Sequence, residues 1–428
     1  MAKKKEPQGV HPPTQRQLTH WQRQALRQRM IALSGIFIIV AVIAVVFSGV
    51  YFQWYLPVYK PLQATVVEVN GHKFDMAYYI DALVAYDQLY FSGQTDYLSM
   101  LLDTTAQNIE QIELVREEAA KLNIVISEDD ITKIITDNSL SNSQAMRDIV
   151  RGQLLSDKLK TDYFGPQILS SAEHRDVLAI FLESQSQLDE IKAQIDAGAD
   201  FGQVAAQFSL DSTTKGDGGA LGYKPKGLLD YMLSSTALDD AVFSQQVGTR
   251  GTLHDADKTK QVGYWLVKVT EKKDDMSQVH VFGMLLSSQE EAQAVKARLD
   301  AGEDFTTLAQ QFSQTWSDAS KDDMGWISSD TTEVFKDYVF DTNTPLNAVS
   351  SPIKDTTQST RGGYWLFKVV DSVVKDISED DKTSLISQAF SAWLTEKQTD
   401  KSNSLSISLN ESQKTFATGR AKTQLSTT

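Results

Sequence analysis

The sequence contains no cysteine. Disulfides, thiol catalysis and thiolate metal sites are therefore excluded, as is the lipidated cysteine of a bacterial lipoprotein anchor. Histidine is scarce too, at six residues. The four that follow residue 57 (His72, His174, His254 and His280) show no metal-ligand spacing. No Ser/His/Asp set can be assembled. The one glycine-rich stretch, GDGGALG, follows a helix and a loop rather than a strand, and lacks the Lys-Ser/Thr ending of a phosphate-binding loop. Nothing in the sequence implies a cofactor or a metal. Basic charge is also short over most of the chain. The first thirty residues hold seven basic side chains (Lys3, Lys4, Lys5, Arg16, Arg23, Arg27 and Arg29) against Glu6 alone. The remainder carries 34 basic and 55 acidic residues, a net charge of −21. Such a field repels phosphate and excludes nucleic acid as a partner.

Between these two regions charge is missing altogether, from Ile31 to Leu56. Residues 31–52 read IALSGIFIIVAVIAVVFSGVYF. As a helix, such a run reaches about 33 Å, enough to cross a bilayer. Tyr51, Trp54 and Tyr55 lie at its distal end, where an interfacial aromatic belt belongs. The run is longer than the apolar core of a cleaved signal peptide, and a thirty-residue basic lead precedes it. The expectation is an uncleaved single-pass anchor, with the basic flank cytoplasmic and the rest of the chain, from about residue 57, extracytoplasmic.

What the outer part holds is helix, then repeat. ATVVEVNGHKFD (64–75) has the pattern of two short strands about an Asn70-Gly71 turn. Residues 76–163 have helical periodicity, with an apolar stripe of Ile109, Ile112, Val115 and Ala119, and a helix start at Ser127. Tyr78, Tyr79, Tyr86, Tyr90 and Phe91 form an aromatic cluster. It has two readings, core packing and an apolar surface for unfolded chains. IKAQIDAGADFGQVAAQFS (191–209) then recurs as VKARLDAGEDFTTLAQQFS (295–313), with eleven of nineteen positions identical. GYWLVKV (263–269) recurs as GYWLFKV (363–369). Each copy reads strand, helix, helix, loop, short helix, strand: a compact α/β unit rather than a solenoid repeat. An amphipathic helix follows over 376–399, with Ile386, Phe390, Trp393 and Leu394 on its apolar face. The stretch from Lys401 is polar and is expected to be loosely ordered.

The repeated D-A-G-x-D-F-x-x-x-A-x-x-F-S, then G-G-A-L-G-Y, then G-Y-W-L-V-K-V resembles the parvulin-type peptidyl-prolyl isomerase domain. The first copy keeps Lys215, Gly218, Gly219, Leu221 and Gly222 of that family's loop. The second keeps only Met324-Gly325-Trp326. The overall plan is similar to the SurA/PrsA class of foldases. The resemblance implies an α+β chain. Residues 1–30 form a cytoplasmic basic tail, 31–56 a transmembrane anchor, and 57–170 a helical chaperone-like domain. Two tandem parvulin-like domains span 171–275 and 276–375, and 376–428 form a C-terminal helix and polar tail. It also implies a protein-folding factor whose partners are unfolded or nascent secreted polypeptides.

Prolyl isomerisation needs no nucleophile. It needs an apolar cup and hydrogen bonds that favour the twisted amide. In the family, two strand histidines and a loop Cys or Asp form the polar floor. Carried over residue by residue, the loop acid is Asp211, the candidate catalytic residue. The cup positions are Leu229 and Leu238 in the first copy and Phe335 in the second. The histidine positions fall at Ala179 and Trp265 in the first copy, and at Gly283 and Trp365 in the second. These seven are the candidate peptide-binding residues. Thr315 takes the loop acid's place in the second copy. His280 falls on the opposite strand face from Gly283 and is no substitute. Beside these stand plainer readings: a turn or cap for Asp211, and core packing for both tryptophans. Three functions stay open: a binding-dominated foldase, an active isomerase working through the first copy, and a non-catalytic adaptor.

Overall fold

The computed structural model describes residues 15–315 and 322–426. The basic tail expected over 1–30 lies partly outside that range. Eleven strands occur among the described residues: β1 (Thr65–Val69), β2 (His72–Asp75), β3 (Ser171–Leu182), β4 (Ala220–Pro225), β5 (Arg250–Lys260), β6 (Gly263–Lys272), β7 (Gln278–Leu286), β8 (Asp323–Ser328), β9 (Ile353–Asp355), β10 (Thr360–Asp376) and β11 (Leu405–Ile407). They form three antiparallel sheets, ordered β11-β1-β2, β4-β3-β10-β5 and β8-β7-β6-β9. The chain divides into two compact units, Met1–Leu159 with Trp393–Thr428, and Lys160–Ala392.

The first unit begins with a helix from Gln15 to Val50, which continues through a π-helical stretch, Tyr51–Tyr59. Within it, Leu33–Leu62 is long and apolar enough to cross a membrane. Only Gln63 and Ala64 separate it from β1, and the Ala64 carbonyl accepts from the Met76 amide. Asn70 and Gly71 both take positive φ, 50° and 89°, which a two-residue hairpin turn with matched twist requires. Asp75 caps the helix Met76–Phe91 by accepting from the Tyr78 amide. Ser127 likewise caps Glu128–Asp137. The aromatic cluster is divided. Tyr79 and Tyr86 are core, whereas Tyr90 is 67% exposed.

The tail expected to be loose is ordered in this structure. Strand β11 pairs with β1, and a helix spans Glu411–Leu425 behind a capping box of Asn410 and Gln413. Its Ala417 and Ala421 are fully buried against Tyr79, Leu83 and Leu102. Those small residues at i and i+4 let the helix approach closely while leaving its mean hydropathy low.

The second unit holds the repeats. The D-A-G-x-D-F motif is a helix stop and start. Gly198 and Gly302 take φ of +102° and +95° at the end of one helix, and Asp200 and Asp304 cap the next. Alternation in G-Y-W-L sets the layers. Tyr264 and Leu266 face the helices Gln289–Asp300 and Phe305–Phe312, whereas Trp265 and Val267 face Phe335 and Val339.

The sheets do not follow the repeats. β6 ends the first copy in sequence but lies between β7 and β9 of the second. β10 ends the second copy but lies between β3 and β5 of the first. The copies have exchanged their last strands. Boundaries at 171–275 and 276–375 therefore divide the sequence repeat but not the sheets. GYWLVKV and GYWLFKV carry the same alternation, so each presents the same kind of two-faced strand to a sheet.

Candidate functional site: two closed cups

The first cup lies on the face of β4-β3-β10-β5 covered by the helices Leu228–Leu233 and Leu238–Ser244. It gathers Ala179, Leu229 and Leu238 as expected, but its tryptophan is Trp365. Trp265, expected here, packs instead with Gly283 and Phe335 in the second cup, its ring centroid 5.6 Å from that of Phe335. The strand exchange accounts for both corrections. All seven candidate peptide-binding residues are buried, so none presents an open surface in this conformation.

Each tryptophan meets a carboxylate where the family places an imidazole. Trp365 Nε1 donates to Asp255 at 3.2 Å, and Trp265 Nε1 donates to Asp355 at 3.0 Å. Asp255 also accepts from Ser235 Oγ at 2.7 Å and from the amides of Asp257 and Lys258. Burial works against charge on Asp355, but hydrogen bonds from Thr357 and Trp265 outweigh it and hold its carboxyl below the usual range. The sequence reading missed Asp255 and Asp355, although their offset of 100 matches that of the two tryptophans.

Asp211 is buried at the start of the short helix Ser212–Lys215, where it accepts from the Thr214 amide. Its other oxygen pairs with Lys258 Nζ at 2.9 Å. Lys258 also donates to the Leu233 carbonyl at 2.5 Å and lies 5.6 Å from the centroid of the Trp365 ring. The loop acid is thus a cap and an ion-pair partner. Each of its oxygens accepts one hydrogen bond, from the Thr214 amide and from Lys258.

The remaining polar positions are as closed. A Cβ on Gly283 would stand 2.6 Å from Met324 Sδ, so no imidazole fits there without rearrangement. Thr315 Oγ1 lies 3.3 Å from Ser313 Oγ. His280 contacts Thr270 at 3.0 Å and Asp323 at 3.3 Å, away from the cup.

In the helical unit, a cavity of about 340 Å³ is lined by His72, Tyr78, Ile112, Glu113, Arg116 and Asp148, among others. Glu113 pairs with His72 at 2.8 Å and with Arg116. Near the turn between the helices Met76–Phe91 and Leu98–Lys121, Leu89, Tyr90, Tyr97 and Met100 are each exposed.

Residues 166–273 and 286–371 each match the family described as the PPIC-type PPIASE domain. The chain therefore carries two PPIC-type parvulin domains. A Chaperone SurA of Methylobacillus flagellatus is 26% identical over 241 residues, 49% of this chain and 51% of that protein. A Foldase protein PrsA of Exiguobacterium sibiricum is 36% identical over 95 residues, 22% of this chain and 29% of that protein. The chain thus spans about half, or less, of the length of these relatives. The crystal structure of PrsA from Bacillus anthracis aligns over 82% of this chain and 98% of that one, at 11% identity and a TM-score of 0.27.

Proposed function

We propose that this chain is an extracytoplasmic protein-folding factor, held at the membrane by Leu33–Leu62, that binds unfolded or proline-containing segments of translocated polypeptides. Two PPIC-type domains and a helical unit, in a chain similar to proteins named chaperone and foldase, support this reading. The observation that carries binding over catalysis is the closed polar floor. Each family histidine is replaced, each cup tryptophan is tied to an aspartate, and Asp211 is tied to Lys258. Rate enhancement requires groups that interact more strongly with the twisted amide than with the planar one. Here those groups interact with one another.

The exposed apolar set Leu89, Tyr90, Tyr97 and Met100 is the proposed client surface. Full-length protein in detergent, mixed at equal molar ratio with a chemically unfolded client, is expected to suppress light scattering on dilution. Tyr90→Ser with Met100→Ser is expected to weaken that suppression severalfold without changing the circular dichroism spectrum. No suppression by the unaltered protein would overturn the proposal.

A further inference from the structure

The exchanged strands differ at one position of the heptapeptide, Val267 against Phe367. Their loops do not explain the exchange. Asp255 pairs with Gly363, and Asp355 with Gly263. For either copy to close on its own strand, residues 256–262 or 356–362 would form the hairpin loop, seven residues in each case. Loops of that size close at similar entropy. The Trp–Asp bonds do not choose either, since each copy would form the same bond with its own strand.

Position 267/367 does discriminate. Phe367 pairs across β10 with Ala179 on one side and Gly251 on the other. A Cβ on Gly251 would clash with the Phe367 ring, 2.7 Å from its Cε2 and closer still to its Cζ. Val267 pairs with Gly283, where a Cβ would lie 3.3 Å from Val267 Cγ1 and 2.6 Å from Met324 Sδ. On its other side the Val267 amide donates to Ser350 Oγ at 3.1 Å. Were each strand returned to its own copy, Val267 would leave the space beside Gly251 unfilled. Phe367 would be forced into the tight slot beside Met324. A cavity and an overpacked site would form together, and both are destabilising.

We infer that Phe367 and Gly251 select the exchanged pairing, so that each copy completes the other's cup: the second supplies Trp365 to the first, and the first supplies Trp265 to the second. The partner that fits the open edge of each module is the other module's last strand. This assignment does not depend on what the protein binds.

The absence of native cysteine makes a competition experiment direct. His254 pairs with Tyr364, ring centroids 4.7 Å apart, whereas closure within the copy would pair it with Tyr264. Full-length H254C/Y264C/Y364C is oxidised, and the linked peptides are identified by mass spectrometry. The 254–364 link is expected to exceed the 254–264 link by roughly tenfold or more, as overpacking of this kind implies. Adding V267F and F367V together is expected to invert that ratio, and F367V alone to lower it severalfold. A dominant 254–264 link in the unaltered background would overturn the inference, as would a disulfide-linked dimer. So would a ratio indifferent to F367V, the single change that keeps the test decisive if the double exchange does not fold.

Discussion

Asp211 and Lys258 carry the first prediction. Removing one partner of a buried ion pair strands the other charge, whereas removing both leaves nothing to compensate. Lys258→Ala is expected to destabilise the second unit by about 3–5 kcal/mol. Asp211→Ala with Lys258→Ala is expected to be less destabilised than the two single effects summed, measured by urea unfolding. Lys260 carries the second. Burial pushes its ammonium down to about 8, against the opposing influence of Glu183 and Glu291, and among the described residues it donates to the Arg361 and Gly362 carbonyls. Its pKa is lower folded than unfolded. Above about pH 8 the folded protein has therefore released a proton that the unfolded chain keeps to about 10.4. Lys260 therefore contributes a rise in stability across that window, of the order of 3 kcal/mol, whose charging penalty is present in full below pH 8. Denaturation midpoints of the unaltered chain should climb from pH 8 to 10 relative to Lys260→Met. At this scale the sequence identified Asp211, and its alternative reading as a cap is its observed hydrogen bond. Lys258 was not legible, because pairing across 47 residues depends on where β5 lies relative to the loop.

At the scale of elements, the helix start at Ser127 was readable because caps are local, and four further helices begin in the same way. Ser127, Ser184, Asp200, Ser288 and Asp304 each accept from an amide three residues on. The C-terminal helix was not. Its buried face is Ala417 and Ala421, residues too small to register as an apolar stripe, and its partners lie some 300 residues earlier. Asn410→Ala removes the capping box and is expected to lower stability of the helical unit by about 1 kcal/mol. Ala417→Asp, which buries a charge beside Tyr79 and Leu83, should go further. It should expose the amides of Met76–Phe91 to rapid hydrogen exchange, as followed by mass spectrometry.

For the whole molecule, the repeat made the family legible and concealed the assembly. Two nearly identical heptapeptides show that there are two modules, but not which strand completes which sheet. That information lies in Phe367, Gly251, Val267 and Gly283, whose meaning is volumetric and appears only once the strands are paired. The exchange also limits what one module means. Residues 171–275 carry the first sheet's β3, β4 and β5 but not its β10, so a site built on Ala179 is completed from the other copy by Trp365. On the proposed function, these cups are closed to proline-directed catalysis and the protein acts by holding its clients. The most direct measurement is the rate of cis-to-trans isomerisation of a short X-Pro peptide in the presence of the full-length protein. The expected result is the uncatalysed rate, unchanged by Asp211→Ala. A severalfold acceleration that Asp211→Ala abolishes would contradict it.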